Sequence, residues 1–315
     1  MPIHRHEHFS PQALVAAKGA LRVSVVIPAR NEAETVGRVV SDLRAALDRN
    51  LGLVDEWVVM DSDSSDATAA VAASAGATVY AAGSVRPDLG VAHGKGEALW
   101  KALLVTSGDV LVFVDADLFQ WGPHFVTGLL GPVLTDPSIH LVKAVYDRPM
   151  VDAQGHEEEV GGRVTELVAR PLIALHRPRL AHIVQPLSGE WAIRREAFES
   201  FSVPMGYGVE IAALLDVDTQ FGPDAIAQVD LGRRTHRHHR HDALGEMALQ
   251  VMAAAEHRLS GGGPAGNAPS ESGLVTLRQF SRGADGFQPR PRAVNVGERP
   301  PVRDLTPAAA AWGER

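Results

Sequence analysis

The run Val110-Leu-Val-Phe-Val-Asp115-Ala-Asp117 constrains the fold more than any other stretch of this chain. Apolar residues, mostly β-branched or aromatic, lead straight into two carboxylates spaced i, i+2. A short, wholly apolar run of this kind reads as a strand buried on both faces, as in a parallel α/β sheet. On an extended chain Asp115 and Asp117 project to the same side at the strand's C-terminal end, the edge where open α/β sheets bind ligands. Two convergent carboxylates there suit a hard divalent cation, Mg²⁺ or Mn²⁺, that bridges to phosphate oxygens. A capping Asp115 and a solvated Asp117 are the alternative, and the stretch alone does not choose.

The same pattern recurs upstream. Val23–Ile27 reads as a buried strand that Pro28 ends. Asn31 is placed to cap the next helix, with Glu34 reaching back in a variant of the capping box. Val36, Val39, Val40, Leu43 and Leu47 then fall on one helical face. The turn between strand and helix would leave backbone N–H groups at the sheet edge, where an anion can sit. Trp57–Met60 is a second strand and runs into Asp61-Ser62-Asp63-Ser64-Ser65-Asp66, where Ser65 or Asp66 caps a small-residue helix over 67–75 and Asp61 is the better ligand candidate. With a short strand over 77–80 the order is β-α-β-α-β, which predicts a doubly wound, mostly parallel sheet. Gly90, Gly94, Lys95 and Gly96 invite comparison with a P-loop, but the spacing is one residue short and Gly96 replaces the metal-binding Ser or Thr. Lys95 is therefore expected on a flexible loop before a helix over 97–106, either directed at a diphosphate or solvated.

Bulk properties narrow the partners. The chain of 315 residues carries 30 Lys+Arg against 38 Asp+Glu, a net charge of −8, whereas nucleic-acid-binding domains are more often basic. The absence of cysteine excludes disulfides, thiolate metal sites and a Cys nucleophile. No apolar run approaches the roughly 18 residues of a bilayer span, and the start lacks the apolar core of a signal peptide. The expectation is a cytoplasmic protein without nucleic-acid or membrane partners. The alternating His4, His6 and His8 read as chance histidines of a loose terminus.

Taken together, Val25-Val-Ile-Pro28-Ala29-Arg-Asn31-Glu32, Val58-Val-Met-Asp61-Ser62, Gly94-Lys95-Gly96 and Val114-Asp115-Ala-Asp117 resemble, in this order, the nucleotide-sugar half of GT-A-fold glycosyltransferases. The resemblance implies an α/β fold with a Rossmann-like sheet and an acceptor subregion. It implies that Pro28, Ala29, Asn31, Glu32, Ser62 and Lys95 line a uridine-diphosphate pocket and that Asp115 and Asp117 serve the donor and its metal. A metal and a lysine would neutralise charge that grows on the departing diphosphate.

The second half narrows the match. Gly161-Gly162-Arg163-Val164-Thr165, Gln185-Pro-Leu-Ser-Gly189-Glu190-Trp, Gly206-Tyr207-Gly208-Val209-Glu210 and Gly232-Arg-Arg234-Thr-His236 are similar to motifs of the actinobacterial glucosyl-3-phosphoglycerate synthases. Those enzymes move glucose from UDP-glucose to 3-phosphoglycerate with retention. The residues fit an anionic acceptor in their own right. Gly162 frees the backbone to approach a phosphate, Arg163 offers a fork of donors and Thr165 a hydroxyl at a helix start. A merely solvated arginine there is disfavoured by the helix dipole.

The run 233–241 lacks the interleaved aromatics of a nucleic-acid patch and the spaced partners of a zinc site. By resemblance His236 is a metal ligand beside Asp117, and Arg234 contacts the diphosphate or the acceptor. Gly162, Arg163, Val164, Thr165, Tyr207 and His238 form the acceptor site, although position 238 is His where relatives carry Asn. Glu210 and Asp115 are the candidate catalytic residues, Glu210 orienting sugar hydroxyls or helping to activate the acceptor; a structural ion pair is the alternative for Glu210.

The expected organisation is an N-terminal extension over 1–21, a nucleotide-sugar region over 22–140, an acceptor region over 141–258 with a helix over 244–258, and a flexible C-terminal arm over 259–315 used in homodimer contacts. Competing readings are a mannosyl- or polyprenyl-phosphate transferase of the same fold and a non-catalytic nucleotide-sugar-binding protein.

Overall fold

The computed structural model describes residues 3–47, 51–118, 121–147, 149–151, 157–159, 162–233, 241–259, 273–283 and 286–305. Its centre is a sheet built from β1 (Ile3–Arg5), β2 (Val23–Ala29), β3 (Glu56–Asp61), β4 (Thr78–Ala81), β5 (Val110–Phe113), β6 (Leu141–Asp147), β7 (Trp191–Arg194) and β8 (Ile226–Arg233). The strand order is β1-β8-β6-β7-β5-β2-β3-β4. β7 runs antiparallel to both neighbours, β5 and β6, and every other neighbouring pair is parallel. Strands from residues 22–140 and from residues 141–258 thus share one sheet.

Strand alternation sorts side chains into two cores. Val23, Val25, Ile27, Val110 and Val112 enter one, covered by the helices α1 (Pro11–Lys18), α2 (Val36–Leu47), α3 (Thr68–Ser74) and α5 (His124–Thr135), with α4 (Lys95–Leu103) on the other side of the sheet. Val26, Leu111, Phe113, Trp191 and Ile193 enter the second, beneath α4, α6 (Arg170–His176), α7 (Val209–Phe221) and α8 (His241–Leu259). Phe113 and Trp191 are partners in the β5–β7 register, with ring centroids 4.4 Å apart. Burial of a ring the size of Phe113 stabilises the fold by about 2 kcal/mol.

Several local expectations need correction. Pro28 does not end its strand, which continues to Ala29. β5 pairs with β2 only as far as Val26, so the missing N–H of Pro28 falls beyond the ladder with strands on both sides. The pairing of β5 likewise stops at Phe113, so Asp115 and Asp117 stand on the loop beyond the strand rather than on one strand face. The N-terminus is not loose over its described part: Ile3–Arg5 pairs with Gln228–Asp230 at the sheet edge, and Leu14 of α1 is buried. Leu274–Gly283 and Gly286–Asn295, expected within a flexible arm, form an antiparallel hairpin. Past the hairpin, Glu298–Arg299 pairs with Val203–Pro204 against the core. Among the described residues no helix is long and apolar enough to cross a membrane.

Candidate active site

The lone antiparallel strand decides what meets at the sheet edge. Parallel strands deliver their C-terminal ends there, namely Ala29, Asp61 and the Asp115 loop. β7 runs the other way and so brings its start, Ser188-Gly189-Glu190, to the same edge. Lys95 sits there as the first residue of α4, with Gly94 at the N-cap; it is not on a free loop, as the sequence suggested. Its Nζ donates to Asp115 Oδ1 at 2.7 Å and lies 2.9 Å from Glu210 Oε1. Glu210 belongs to the first turn of α7, where a carboxylate is favoured by the helix dipole, and is 5% exposed.

Glycines make this cluster possible. A Cβ at Gly189 would lie 2.3 Å from Asp115 Oδ2 and 2.8 Å from Lys95 Nζ. Gly94 (φ +145°) and Gly96 press against the backbone of Pro204, Met205 and Gly206, where a Cβ would meet carbonyl oxygens at 2.3 and 1.7 Å. The Gly94-Lys95-Gly96 signature therefore reflects close backbone packing around one lysine, not a phosphate cradle of N–H groups.

Burial alone would lower the Lys95 ammonium, but Asp115 and Glu210 outweigh it and hold the group above the ordinary lysine value. Lys143 on β6 behaves in the opposite way. It is 1% exposed, donates to the Ser188 carbonyl at 2.9 Å and lies 5.7 Å from the centroid of the Trp191 ring. Burial lowers it to about 7; Lys95 pushes in the same direction while Glu210, Glu190 and Asp115 oppose. The folded-state value lies below the unfolded one, so the unfolded chain binds more protons from about pH 7 upward, and this group's contribution to stability rises with pH. Relative to a Lys143→Met variant, the wild type is expected to gain up to about 1.4 kcal/mol per pH unit between about pH 7 and 9 in urea unfolding. A difference that stays flat with pH would contradict the assignment.

The residues expected to line a donor pocket lie at this sheet edge, and their contacts are not the ones the sequence suggested. Asn31 adopts φ 58° and does not cap α2. Its side-chain oxygen accepts from the Ser65 N–H at 2.8 Å, and its own N–H donates to Ser64 Oγ at 2.9 Å. The Glu32 N–H donates to Thr68 Oγ1 at 2.8 Å and the Ala33 N–H to Asp66 Oδ2 at 3.2 Å. The acidic, hydroxyl-rich turn thus takes up the amides that the sequence offered to an anion. Ser62 is buried and its N–H donates to the Ala29 carbonyl at 2.9 Å, which fixes β2 against β3 at the edge; Pro28 is half-buried beside it. Asp61 is the more informative neighbour. Its Oδ2 accepts from the Ser64 N–H at 3.3 Å, while its buried Oδ1 has no hydrogen-bond partner among the described residues.

Asp117 is half-buried two positions beyond Asp115. Arg234, His236 and His238 lie outside the described residues. Among the described residues no group of three or more His, Cys, Asp or Glu side chains could hold a metal ion. Gly162 and Arg163 are half-buried and Val164 and Thr165 buried at the head of a helix whose next turn, Thr165–Ala169, is a π-turn. Such turns occur frequently at functional sites. Tyr207 is 41% exposed, with its N–H bound to Gln250 Oε1 at 3.0 Å. Partial desolvation raises its phenol; Lys95 opposes, and Asp115, Glu210 and Glu246 add to the rise. Sequence reasoning passed over Lys143 and the contact role of Gly189, whose only outward signal was a glycine beside a glutamate before a strand.

Residues 24–201 match the model of glycosyl transferase family 2. The glucosyl-3-phosphoglycerate synthase of Mycolicibacterium smegmatis is 46% identical over 294 residues, covering 93% of each chain. This chain belongs to the glucosyl-3-phosphoglycerate synthase family. The Mycobacterium tuberculosis synthase in complex with Mn²⁺, UDP-glucose and phosphoglyceric acid superposes with a TM-score of 0.79 at 42% identity, covering 94% of this chain and 95% of that one. The same enzyme with Mg²⁺ and UDP gives a TM-score of 0.81 at 42% identity and the same coverage. Glu210 lies beyond the stretch matched to family 2 at large, whereas Lys95, Asp115, Asp117 and Gly189 lie within it.

Proposed function

We propose that this chain transfers glucose from UDP-glucose to 3-phosphoglycerate with retention of configuration, and that it requires Mg²⁺ or Mn²⁺. The observation that carries the reading is the half-buried Lys95 held between Asp115 and Glu210 at the shared edge of the sheet. A cation fixed there can exchange part of its carboxylate contact for the donor diphosphate. Pro28, Ala29, Asn31, Glu32, Ser62 and the open oxygen of Asp61 flank the position of the nucleoside. In the reaction an acceptor hydroxyl bonds to the anomeric carbon as the bond to the diphosphate oxygen breaks; the hydroxyl proton passes to the departing diphosphate, and UDP leaves. Lys95 offsets the charge that grows on that leaving oxygen, and Arg234 would add a second cation for it. Glu210, held through Lys95, suits an acceptor of hydrogen bonds from the sugar hydroxyls.

Asp117 and His236 would hold the metal, whose charge would neutralise the departing diphosphate. A half-buried carboxylate on the loop beside Asp115 fits such an oxygen-binding cation. Arg163 and Thr165, with Gly162, Val164, Tyr207 and His238, serve the acceptor anion. We also place the enzyme in the cytoplasm as a homodimer; exposed Leu274, Phe280 and Phe287 on the hairpin support a contact through the C-terminal arm.

The test is an assay of purified protein with UDP-glucose, GDP-glucose or GDP-mannose, with and without 3-phosphoglycerate and either metal. UDP release is expected only with phosphoglycerate present, and is expected to disappear with EDTA. Turnover of GDP-mannose, or transfer to a polyprenyl phosphate in place of phosphoglycerate, would overturn the reading.

A further inference from the structure

The segment that follows the C-terminal hairpin folds back over the start of α4, which presents Lys95. The Met205 N–H donates to the Gly297 carbonyl at 3.1 Å, and Glu298–Arg299 pairs with Val203–Pro204. Arg299, 8% exposed, forks onto Glu97: Nε reaches Oε2 and Nη2 reaches Oε1, both at 2.7 Å. The same guanidinium donates to the carbonyls of Leu89 at 2.5 Å and Gly90 at 3.0 Å. It also lies 5.3 Å from the centroid of the Trp100 ring, whose Nε1 donates to the Pro300 carbonyl at 2.8 Å.

Arg299 thus grips the chain on both sides of Gly94-Lys95-Gly96, at Leu89–Gly90 before it and at Glu97 after it. The strand beside Arg299 leads into Met205 and Gly206, whose carbonyls accept from the Glu97 N–H at 2.9 Å and the Gly96 N–H at 3.2 Å. The gripped segment needs such a hold. Gly90 (φ +79°) and Gly94 (φ +145°) leave its backbone several accessible paths. A buried ion pair contributes little net stability compared with apolar packing, whereas its directional fork fixes one geometry.

We propose that Arg299 is a positioning residue: through Glu97 and the Leu89 and Gly90 carbonyls it sets the register in which Lys95 meets the donor diphosphate. The proposal rests on the reading of Lys95 as the cation for that diphosphate. The last described stretch of the chain thereby controls donor binding without touching the donor.

The test is a double-mutant cycle on the full chain, with UDP and Mn²⁺ as the probe and calorimetric titration as the readout. Lys95→Ala is expected to weaken UDP by about tenfold or more and Arg299→Gln by about fivefold, the range for groups that act through one another. The double variant is expected to match Lys95→Ala within about twofold, because the grip acts only through Lys95. Kinetically, Arg299→Gln raises KM for UDP-glucose and leaves KM for 3-phosphoglycerate in place. Arg299→Lys, which keeps the charge but not the fork, restores part of the loss and carries the cycle if the glutamine variant does not fold. Additive losses in the cycle, or equal rises in both KM values, overturn the proposal. An unchanged UDP affinity in Lys95→Ala instead overturns the reading of Lys95, and the two failures are thereby told apart.

Discussion

Replacing Lys95 by alanine is expected to lower kcat/KM for the nucleotide sugar by about 10²–10³-fold, the range for removing one fixed donor from a developing anion. Two effects act together. The diphosphate loses a cation held at 2.7 Å by Asp115 and 2.9 Å by Glu210, and so presented without the cost of ordering a free side chain. The two carboxylates then lose the cation they share in a largely buried site, where uncompensated charge is costly. Stability should fall as well. The ammonium is held above its unfolded-state value, so its contribution is complete at neutral pH and is lost only as pH rises through the folded-state value in alkali. Melting compared at neutral pH reads the full difference. A variant with lowered stability and wild-type donor KM would show that Lys95 is only a structural ion-pair partner.

What was legible in the sequence was what depends on neighbours along the chain. Val110–Phe113 and Val23–Ile27 announced two-faced burial because every residue in them but Ser24 is apolar, and both sit centrally in the sheet. The helical face Val36, Val39, Val40, Leu43 and Leu47 is buried residue for residue. The central cluster was legible only in part. Lys95, Asp115 and Glu210 each stood out, yet the bonds among them join separate elements, and no local spacing encodes that. Asn31 misled for a physical reason. Its position before a helix suits a cap, but the turn at 64–68 offered its side chain and its N–H better partners. Lys143 was invisible because a lysine inside a strand usually belongs to a solvated face, whereas β6 is covered on both sides. Arg299 was hidden in a Pro-, Gly- and Arg-rich tail that reads as an arm, while its partner Glu97 lies 202 residues away.

Asp115 and Asp117 look like one motif, and separate substitutions should divide it. Asp117→Asn is expected to cut kcat/KM by about 10³-fold, near 4 kcal/mol, and to raise the Mn²⁺ concentration for half-maximal activity. A neutral amide is a poorer ligand than a carboxylate for a hard divalent cation, so added metal should recover part of the rate. Asp115→Asn should also slow the enzyme, but with its metal requirement in place. Asp115 Oδ1 is committed to Lys95, and Oδ2 stands where any side chain at Gly189 would collide with it. Loss of its charge therefore disturbs Lys95 first, and the effect should appear in KM for UDP-glucose. The two variants are separated by titrating Mn²⁺ at saturating donor and then titrating donor at saturating Mn²⁺. If Asp115→Asn raises the metal requirement as much as Asp117→Asn, both carboxylates bind the ion and the division fails. If neither raises it, the metal is held elsewhere, and the half-buried position of Asp117 on the loop beyond β5 serves the donor alone.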